Sequence, residues 1–215
     1  MSEHFAARTQ SSYDRVADEY AERIAGELDG KPLDRALLRL LAEQAAPLGP
    51  ICDLGCGPGH VAHYLAQCGA AVCGIDLSPA MVASAQRRYP QIAFAVGNMV
   101  SLEWPDDSFG GIAALYSIIH VPPDRLAQAF REMRRVLRPG GRALVAFHIG
   151  DETVHLDEWW GRQVELDFHF LQPAAIAAQI AEAQLAVDSI TTRATYPDVE
   201  HQSQRAYIFA RKAGA

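Results

Sequence analysis

Hydrophobic positions recur at helical intervals along the first 47 residues. In YDRVADEYAERIAGEL, Tyr13, Val16, Ala17, Tyr20 and Ile24 follow three- and four-residue steps, which predicts an amphipathic helix broken by Gly30-Lys31-Pro32. LDRALLRLLAEQAAP predicts a second helix that stops near Pro47. From residue 50 the rhythm changes. PICDLG, AAVCGIDLS, QIAFAVGN, GGIAALYSII and RALVAFHI read as short apolar strands. GHVAHYLAQCG, PAMVASAQRRYP and PPDRLAQAFREMRRVLRPGG read as the helices between them, the second with Ser78 as N-cap and Pro79 in its first turn. Apolar strands separated by helices predict a parallel sheet covered on both faces. Residues 150–172 carry acidic and aromatic side chains without a clear period. PAAIAAQIAEAQ is again helical, and LAVDSITTRA and QRAYIFARK read as two strands of an antiparallel edge hairpin with a polar connection.

The 215 residues, 49% of them hydrophobic, suffice for one sizeable core, so a single α/β domain is expected. The net charge of −7 argues against a nucleic-acid partner, which needs clustered Lys and Arg. The densest basic run, REMRRVLR, has helical spacing and reads as a solvated helix face. No apolar stretch approaches the roughly 18 residues of a membrane span, and the N-terminus lacks a basic start followed by an apolar run, so a cytoplasmic protein without a membrane partner is expected. Cys52, Cys56, Cys68 and Cys73 fall within 22 positions. No second close pair or His pair follows at ligand spacing, so reduced thiols are expected rather than a metal site.

The stretch ICDLGCGPGH follows a predicted strand and opens a predicted helix, the place where doubly wound sheets bind ligands. A dinucleotide fingerprint reads G-x-G-x-x-G, whereas here Gly55, Gly57 and Gly59 alternate and His60 stands in the last glycine's place. Asp53, two residues before the first glycine, would repel a pyrophosphate and suit an ammonium or sulfonium group.

DLGCGPGH followed by GIDLS resembles the class I S-adenosylmethionine-dependent methyltransferases of small-molecule type, and the resemblance runs from about Tyr13 to Arg211. It implies a Rossmann-like, seven-stranded, mostly parallel sheet with helices on both faces, an antiparallel last strand and an N-terminal helical cap. It implies S-adenosyl-L-methionine as cofactor and S-adenosyl-L-homocysteine as product. The expected division is a helical cap over 1–47, a cofactor-binding core over 48–149, a lid or insertion over 150–172, and a C-terminal helix and hairpin over 173–215. By the same resemblance Asp53, Gly55, Cys56, Gly57, Gly59 and His60 would surround the methionine part. Asp76 would hold the ribose hydroxyls, whose two donors fit a carboxylate's two oxygens. Leu77 and Met81 would touch adenine, as would Asn98 and Met99, Asn98 standing where many relatives have aspartate. Tyr116 and Ser117 complete the expected cofactor set, with Tyr20 of a YDxxAxxY-like opening. A further departure is SFGG, Ser108 to Gly111, where relatives usually have aspartate after the phenylalanine.

Methyl transfer from a sulfonium is an in-line displacement in which holding donor and acceptor in place is worth about 7–11 kcal/mol. A general base is needed only where the acceptor must lose a proton. LYSIIHVPP lacks the Asn/Asp-Pro-Pro-aromatic motif of relatives that methylate adenine or amide nitrogens, which points to a small-molecule acceptor. His120, near the end of the fourth strand, is the candidate base, with a wall or structural histidine as the alternative. Tyr13, His148, Trp160 and His169 are candidate acceptor contacts; Trp159-Trp160 and Phe168-His169-Phe170 read as pocket lining, and with carboxylates Asp151, Glu152, Asp157 and Glu158 in the same segment a lid over a small, partly aromatic or cationic acceptor is expected. The spacings of His148, His155 and His169 match no compact metal-ligand motif. A monomer or homodimer is expected. The competing readings are a cofactor-binding protein without turnover and, set against by His60, a nicotinamide-dependent oxidoreductase.

Overall fold

The computed structural model describes residues 2–214. Two helices, α1 (Ser2–Ile24) and α2 (Pro32–Ala45), precede an alternating stretch of β1 (Ile51–Leu54), α3 (His60–Gln67), β2 (Val72–Asp76), α4 (Pro79–Arg88) and β3 (Ala93–Val96). Then come β4 (Phe109–Leu115), α5 (Leu126–Val136), β5 (Leu137–His148), the hairpin β6 (Thr153–Trp159) and β7 (Arg162–His169), α6 (Pro173–Glu182), β8 (Leu185–Arg193) and β9 (Arg205–Lys212). Seven strands form one sheet in the order β3-β2-β1-β4-β5-β9-β8, parallel except that β9 runs antiparallel to both of its neighbours. β6 and β7 pair only with each other.

Alternation along the central strands feeds both faces. On β4 and β5, Ile112, Ala114, Val145 and Phe147 join Phe130 and Met133 of α5 and Ile176 and Ile180 of α6. Ala113, Leu144 and Ala146 join Leu38 and Leu41 of α2 and Val61 and Leu65 of α3 on the other face. The helices obey their sequence signals. Ser78 Oγ accepts from Met81 N at 3.1 Å and Pro79 follows as the first helical residue of α4. The buried residues of α5, Leu126, Ala129, Phe130, Met133 and Val136, keep three- and four-residue spacing. SFGG also finds its cause here. A Cβ on Gly110 would lie 2.5 Å from the Ala45 carbonyl oxygen, and one on Gly111 would lie 2.6 Å from the Ala45 Cβ. The end of α2 therefore crosses β4 too closely for an aspartate at position 110.

Three boundaries differ from the sequence reading. α1 begins at Ser2, eleven residues before the periodic stretch. RPGG does not belong to a helix: α5 stops at Val136 and β5 starts at Leu137. Residues 150–172 are not aperiodic. Val164, Leu166 and Phe168 alternate inward on β7 and pack on Val16 of α1, while Glu165, Asp167 and His169 alternate outward. Among the described residues no helix is long and apolar enough to cross a membrane.

Candidate functional site

Strand order reverses between β1 and β4, and a cavity of about 290 Å³ opens beyond the carboxyl ends of these strands. The turn after β1 forms one wall. Gly55 has φ +78°, and a Cβ there would meet the Ser117 Cβ at 2.3 Å, so the turns after β1 and β4 touch. Ser117 Oγ locks the two by donating to the Leu54 carbonyl at 2.7 Å. Gly57, at φ +52°, donates its N–H to Asp76 Oδ2 at 2.8 Å. Asp76 Oδ1 accepts from Ser78 N at 2.8 Å. Asp53 is buried and Oδ2 accepts from Ala62 N at 2.9 Å, in the first turn of α3.

Both carboxyls are held above their ordinary range. Burial pushes Asp53 up to about 7, against the opposing pull of His60 and the Ala62 N–H. Burial likewise takes Asp76 up to about 6, against the Ser78 and Gly57 N–H groups. Two desolvated acids therefore face one cavity, an arrangement that favours a ligand bringing hydroxyl donors or positive charge.

The remaining expected cofactor residues also line this cavity: Cys56 and His60 at the α3 end, Leu77 and Met81 beside Asp76, Asn98 and Met99 after β3, Tyr116 after β4, and Tyr20 from α1. Asn98 Oδ1 accepts from Val100 N at 3.1 Å, which shapes the turn after β3. His60 Nε2 lies 3.2 Å from Glu27 Oε1. Burial alone would raise Glu27, yet His60 and then Lys31 take it down to about 2. Gly59 is the exception. It is the left-handed N-cap of α3, and a Cβ there would strike the Phe94 ring at 2.8 Å and Ala85 at 3.1 Å. Its side faces the core beneath α4, not the cavity.

α1 closes the opposite side. Its Asp14 Oδ1 accepts from Ser78 Oγ at 2.5 Å and Ala80 N at 3.1 Å, which ties the helix to the start of α4. Its Arg8 pairs with Asp167 at 3.0 Å and its Ser12 Oγ accepts from Glu165 N at 2.8 Å, which ties it to β7. Tyr13, Tyr20, Trp159 and Phe168 thus converge with ring centroids 5.7–6.1 Å apart and edge-to-face. His120 lies among them. Its Nδ1 is 3.0 Å from the Asp167 carbonyl oxygen, which only accepts, so Nδ1 carries the proton and Nε2 accepts from the Tyr13 hydroxyl at 2.7 Å. Burial holds the ring neutral, down to about 4, and holds the Tyr13 phenol protonated, raised well above its ordinary value.

Of the candidate acceptor contacts, Tyr13 and His148 line the cavity, whereas Trp160 and His169 do not. Trp160 and Gly161 are the two turn residues between β6 and β7, both at positive φ, +54° and +77°. That places Trp160 at the hairpin tip, stacked on Trp159 at 4.5 Å and under Arg23 at 5.1 Å. His169 points to the outer side of β7 and reaches Thr153 Oγ1 at 2.9 Å. Their neighbours Trp159 and Phe168 take the inward positions instead. Sequence reasoning also passed over Phe5, Thr9, Glu27, Lys31, Glu200, His201 and Arg205, which line the same cavity. Alternation along an unrecognised strand was the signal that selects Trp159 and Phe168 from the aromatic runs expected to line the pocket; for Glu200, His201 and Arg205, far along the chain, there was none.

Comparison with known proteins agrees with this geometry. Residues 51–141 match the family model described as a methyltransferase domain. A demethylmenaquinone methyltransferase of Beutenbergia cavernae is 35% identical over 136 residues, 62% of this chain and 55% of that protein. A malonyl-[acyl-carrier protein] O-methyltransferase of Pectobacterium atrosepticum is 31% identical over 157 residues, 72% of this chain and 56% of that protein. The chain thus spans little more than half the length of these two curated relatives. Among solved structures, the DhpI–SAH complex superposes with a TM-score of 0.75 at 22% identity over 100% of both chains. The [4+2]-cyclase SpnF superposes at 0.74 and 18% identity over 98% of this chain and 97% of that one. These two show the fold alone. With the glycine turn, the acidic end of β2 and the antiparallel β9 all in place, the chain carries over residues 51–141 a methyltransferase domain similar to those of the class I S-adenosylmethionine-dependent enzymes.

Proposed function

We propose that this protein transfers a methyl group from S-adenosyl-L-methionine to a small-molecule acceptor. The observation that carries the reading is the pairing of two carboxyls, buried Asp53 and half-buried Asp76, in the lining of one cavity whose glycine turns bring backbone to its wall. When bound, the cofactor supplies an activated methyl on a positive sulfur. The residues present fit it. Asp76 accepts from the two ribose hydroxyls, Asp53 and the 55–57 turn hold the charged amino-acid part, and Met81, Leu77, Asn98 and Met99 flank the base. Gly59 acts by letting α3 start against Phe94 rather than by contact.

The 150–172 segment is a lid: α1 and the β6–β7 hairpin together cover the end of the cavity nearest His120, with Trp159 and Phe168 as its inner face. Their work is to position the acceptor and exclude water. His120 does not meet the acceptor directly, because its Nε2 is held by Tyr13. An acceptor hydroxyl that must lose a proton gives it to Tyr13 Oη while the Tyr13 proton moves to His120 Nε2. Asp167 C=O steadies the imidazolium that forms. Acceptors without an ionisable hydrogen need neither step. Function in the cytoplasm, without nucleic acid or membrane as partner, is part of the same reading.

A fold shared with a [4+2]-cyclase does not by itself fix the chemistry. The test is therefore calorimetry with S-adenosyl-L-homocysteine followed by turnover on a panel of small hydroxylated, thiol and amine acceptors. Homocysteine-nucleoside binding with release of that product supports the reading. Binding with no turnover across the panel replaces it with a cofactor-binding protein, and saturation by NADH in place of the nucleoside overturns it.

A further inference from the structure

The cavity reaches the ends of β5 and β9, where the ring of the expected cofactor residue Tyr116 lies 4.9 Å from Lys31 Nζ and 5.6 Å from the Arg205 guanidinium. Arg205 opens β9 directly opposite His148, the last residue of β5. It is 2% exposed and lines the cavity. Its Nη2 donates to the His201 carbonyl at 2.7 Å and its Nη1 to the Ser203 carbonyl at 2.5 Å and the Ser203 hydroxyl. Its Nε has no partner among the described residues. The carboxylate in reach, Glu200, stands 3.5 Å away and is hydrogen-bonded through both oxygens to Arg193 and through one to Tyr196 N. A buried guanidinium whose hydrogen-bond acceptors are all neutral, and whose carboxylate at 3.5 Å is shared with Arg193 and Lys31, is a group that a further anion would stabilise.

The neighbours add charges of both signs. Lys31, 3% exposed, lies 4.9 Å over the Tyr116 ring, 2.7 Å from Glu27 and 3.7 Å from the same Glu200 oxygen that faces Arg205. Glu200 is thus shared among three cations, while Asp34 is taken by Arg193, Tyr116 and Tyr207. His148 Nδ1 lies 2.8 Å from Ser203 Oγ. That oxygen also accepts from Arg205, and as a hydroxyl it can either donate to His148 Nδ1 or accept from it. Burial, then the charges of Arg205, His201 and Lys31, hold His148 neutral, down to about 3, with Glu200 too weak to reverse them. Three cations, Lys31, Arg193 and Arg205, thus meet three carboxylates, Glu27, Asp34 and Glu200, and Arg205 Nε is left without a partner among the described residues.

Resting on the methyltransferase reading, we propose that Arg205, His148 and Lys31 form an anion subsite for the acceptor, which is an organic acid with an apolar or aromatic body. The body lies against Trp159, Phe168 and Tyr13, and the carboxylate or comparable oxyanion sits at the β5–β9 end. The cofactor's own carboxylate is the other source of the same chemistry, and the experiment separates the two.

Phenylacetate and its neutral isostere phenylacetamide are titrated into the 215-residue protein, free and saturated with S-adenosyl-L-homocysteine, following intrinsic tryptophan fluorescence. Phenylacetate is expected to bind the loaded protein at least tenfold more tightly than phenylacetamide. That preference should weaken with added KCl and fall below threefold in Arg205→Gln, with the affinity for S-adenosyl-L-homocysteine within twofold of the parent. Equal affinity for the two probes, or binding of neither, overturns the subsite. Phenylacetate that binds only the free protein and is displaced by S-adenosyl-L-homocysteine assigns the cations to the cofactor and overturns the acceptor assignment. The wild-type comparison decides the matter even where Arg205→Gln fails to fold. Absence of S-adenosyl-L-homocysteine binding would instead defeat the underlying reading, with anion preference still measurable on the free protein.

Discussion

Replacing Asp76 by asparagine separates a ligand-binding carboxylate from a mere clip between two turns. The side chain accepts Gly57 N and Ser78 N, one on each oxygen, both at 2.8 Å. Asparagine keeps one acceptor oxygen, so one of these contacts is lost at a cost of about 1 kcal/mol. Burial acts in the other direction. A carboxyl raised from its ordinary 3.8 to about 6 contributes stability that is complete below the lower value and lost as pH climbs through the higher one. At pH 8 the ionised Asp76 therefore opposes folding by on the order of 3 kcal/mol, which asparagine removes. The ligand-free D76N protein should melt no lower than its parent at pH 8. Binding should behave oppositely. Two charge-assisted hydrogen bonds to vicinal hydroxyls, about 1.5–3 kcal/mol each, reduce to one neutral bond. The net loss of about 2–4 kcal/mol corresponds to roughly 30- to 1,000-fold in Kd for S-adenosyl-L-homocysteine. Differential scanning fluorimetry and calorimetry on the same samples read both quantities. A melting temperature several degrees lower with a Kd within threefold of the parent would make Asp76 a structural clip and remove the ribose assignment.

Trp159→Ala should raise the acceptor KM or lower kcat at least tenfold while leaving S-adenosyl-L-homocysteine affinity within threefold, whereas Trp160→Ala should leave steady-state acceptor kinetics near the parent's; the reverse ranking would put the hairpin in the other register. Gly55→Ala combines a positive φ with a Cβ 2.3 Å from that of Ser117 and should lose about 2–4 kcal/mol in urea unfolding. Asp53 sits near 7 in the free protein, and a cationic ligand group favours its ionised form, so S-adenosyl-L-homocysteine affinity should rise from pH 5.5 to 8 and flatten above about 7. Calorimetry at pH 6 in two buffers of different ionisation enthalpy should register proton release; its absence, with a flat affinity profile, would place the ligand's positive charge elsewhere.

The legible part of the fold is the part where side-chain period and backbone choice coincide. PICDLG and AAVCGIDLS are short, apolar and bounded by glycine or a cap, and β1 and β2 lie there. Where one element passes into the next without punctuation, the reading slid. MRRVLRPGGRALVAF carries helical spacing up to Val136, and Arg138-Pro139-Gly140-Gly141 reads locally as a helix stop. The strand nevertheless starts at Leu137 because Phe109 pairs with it and a bulge then absorbs the shift before Gly111 meets Arg142. That register is a tertiary fact with no local signature. The same holds for Gly110 and Gly111, whose need to be glycine comes from the end of α2, more than sixty residues earlier.

The site divides along the same line. Residues bound to the β1 and β2 turns, where a few adjacent positions make the whole pocket wall, were legible from DLGCGPGH and GIDLS. The acceptor end is assembled from α1, the β6–β7 hairpin and the start of β9, and there the error had a definite size. On a strand a slip of one position exchanges the faces. Choosing Trp160 and His169 over Trp159 and Phe168 within the two aromatic runs read as pocket lining is that slip, made at both ends of one hairpin. Glu158 and Asp167, beside the inward residues, made the segment look irregular, because charges on the outer face of a two-stranded hairpin mask a period of two when the inner face holds tryptophan and phenylalanine. The cations went unnoticed for a different reason. Lys31 and Arg205 are 174 positions apart and stand in an unremarkable break and an unremarkable strand. Only the sheet order, which inserts β9 beside β5, brings Arg205 to His148 and gives the cavity a charged end. The proposed choice of acceptor therefore rests on contacts between segments far apart in the sequence, which only the sheet order brings together.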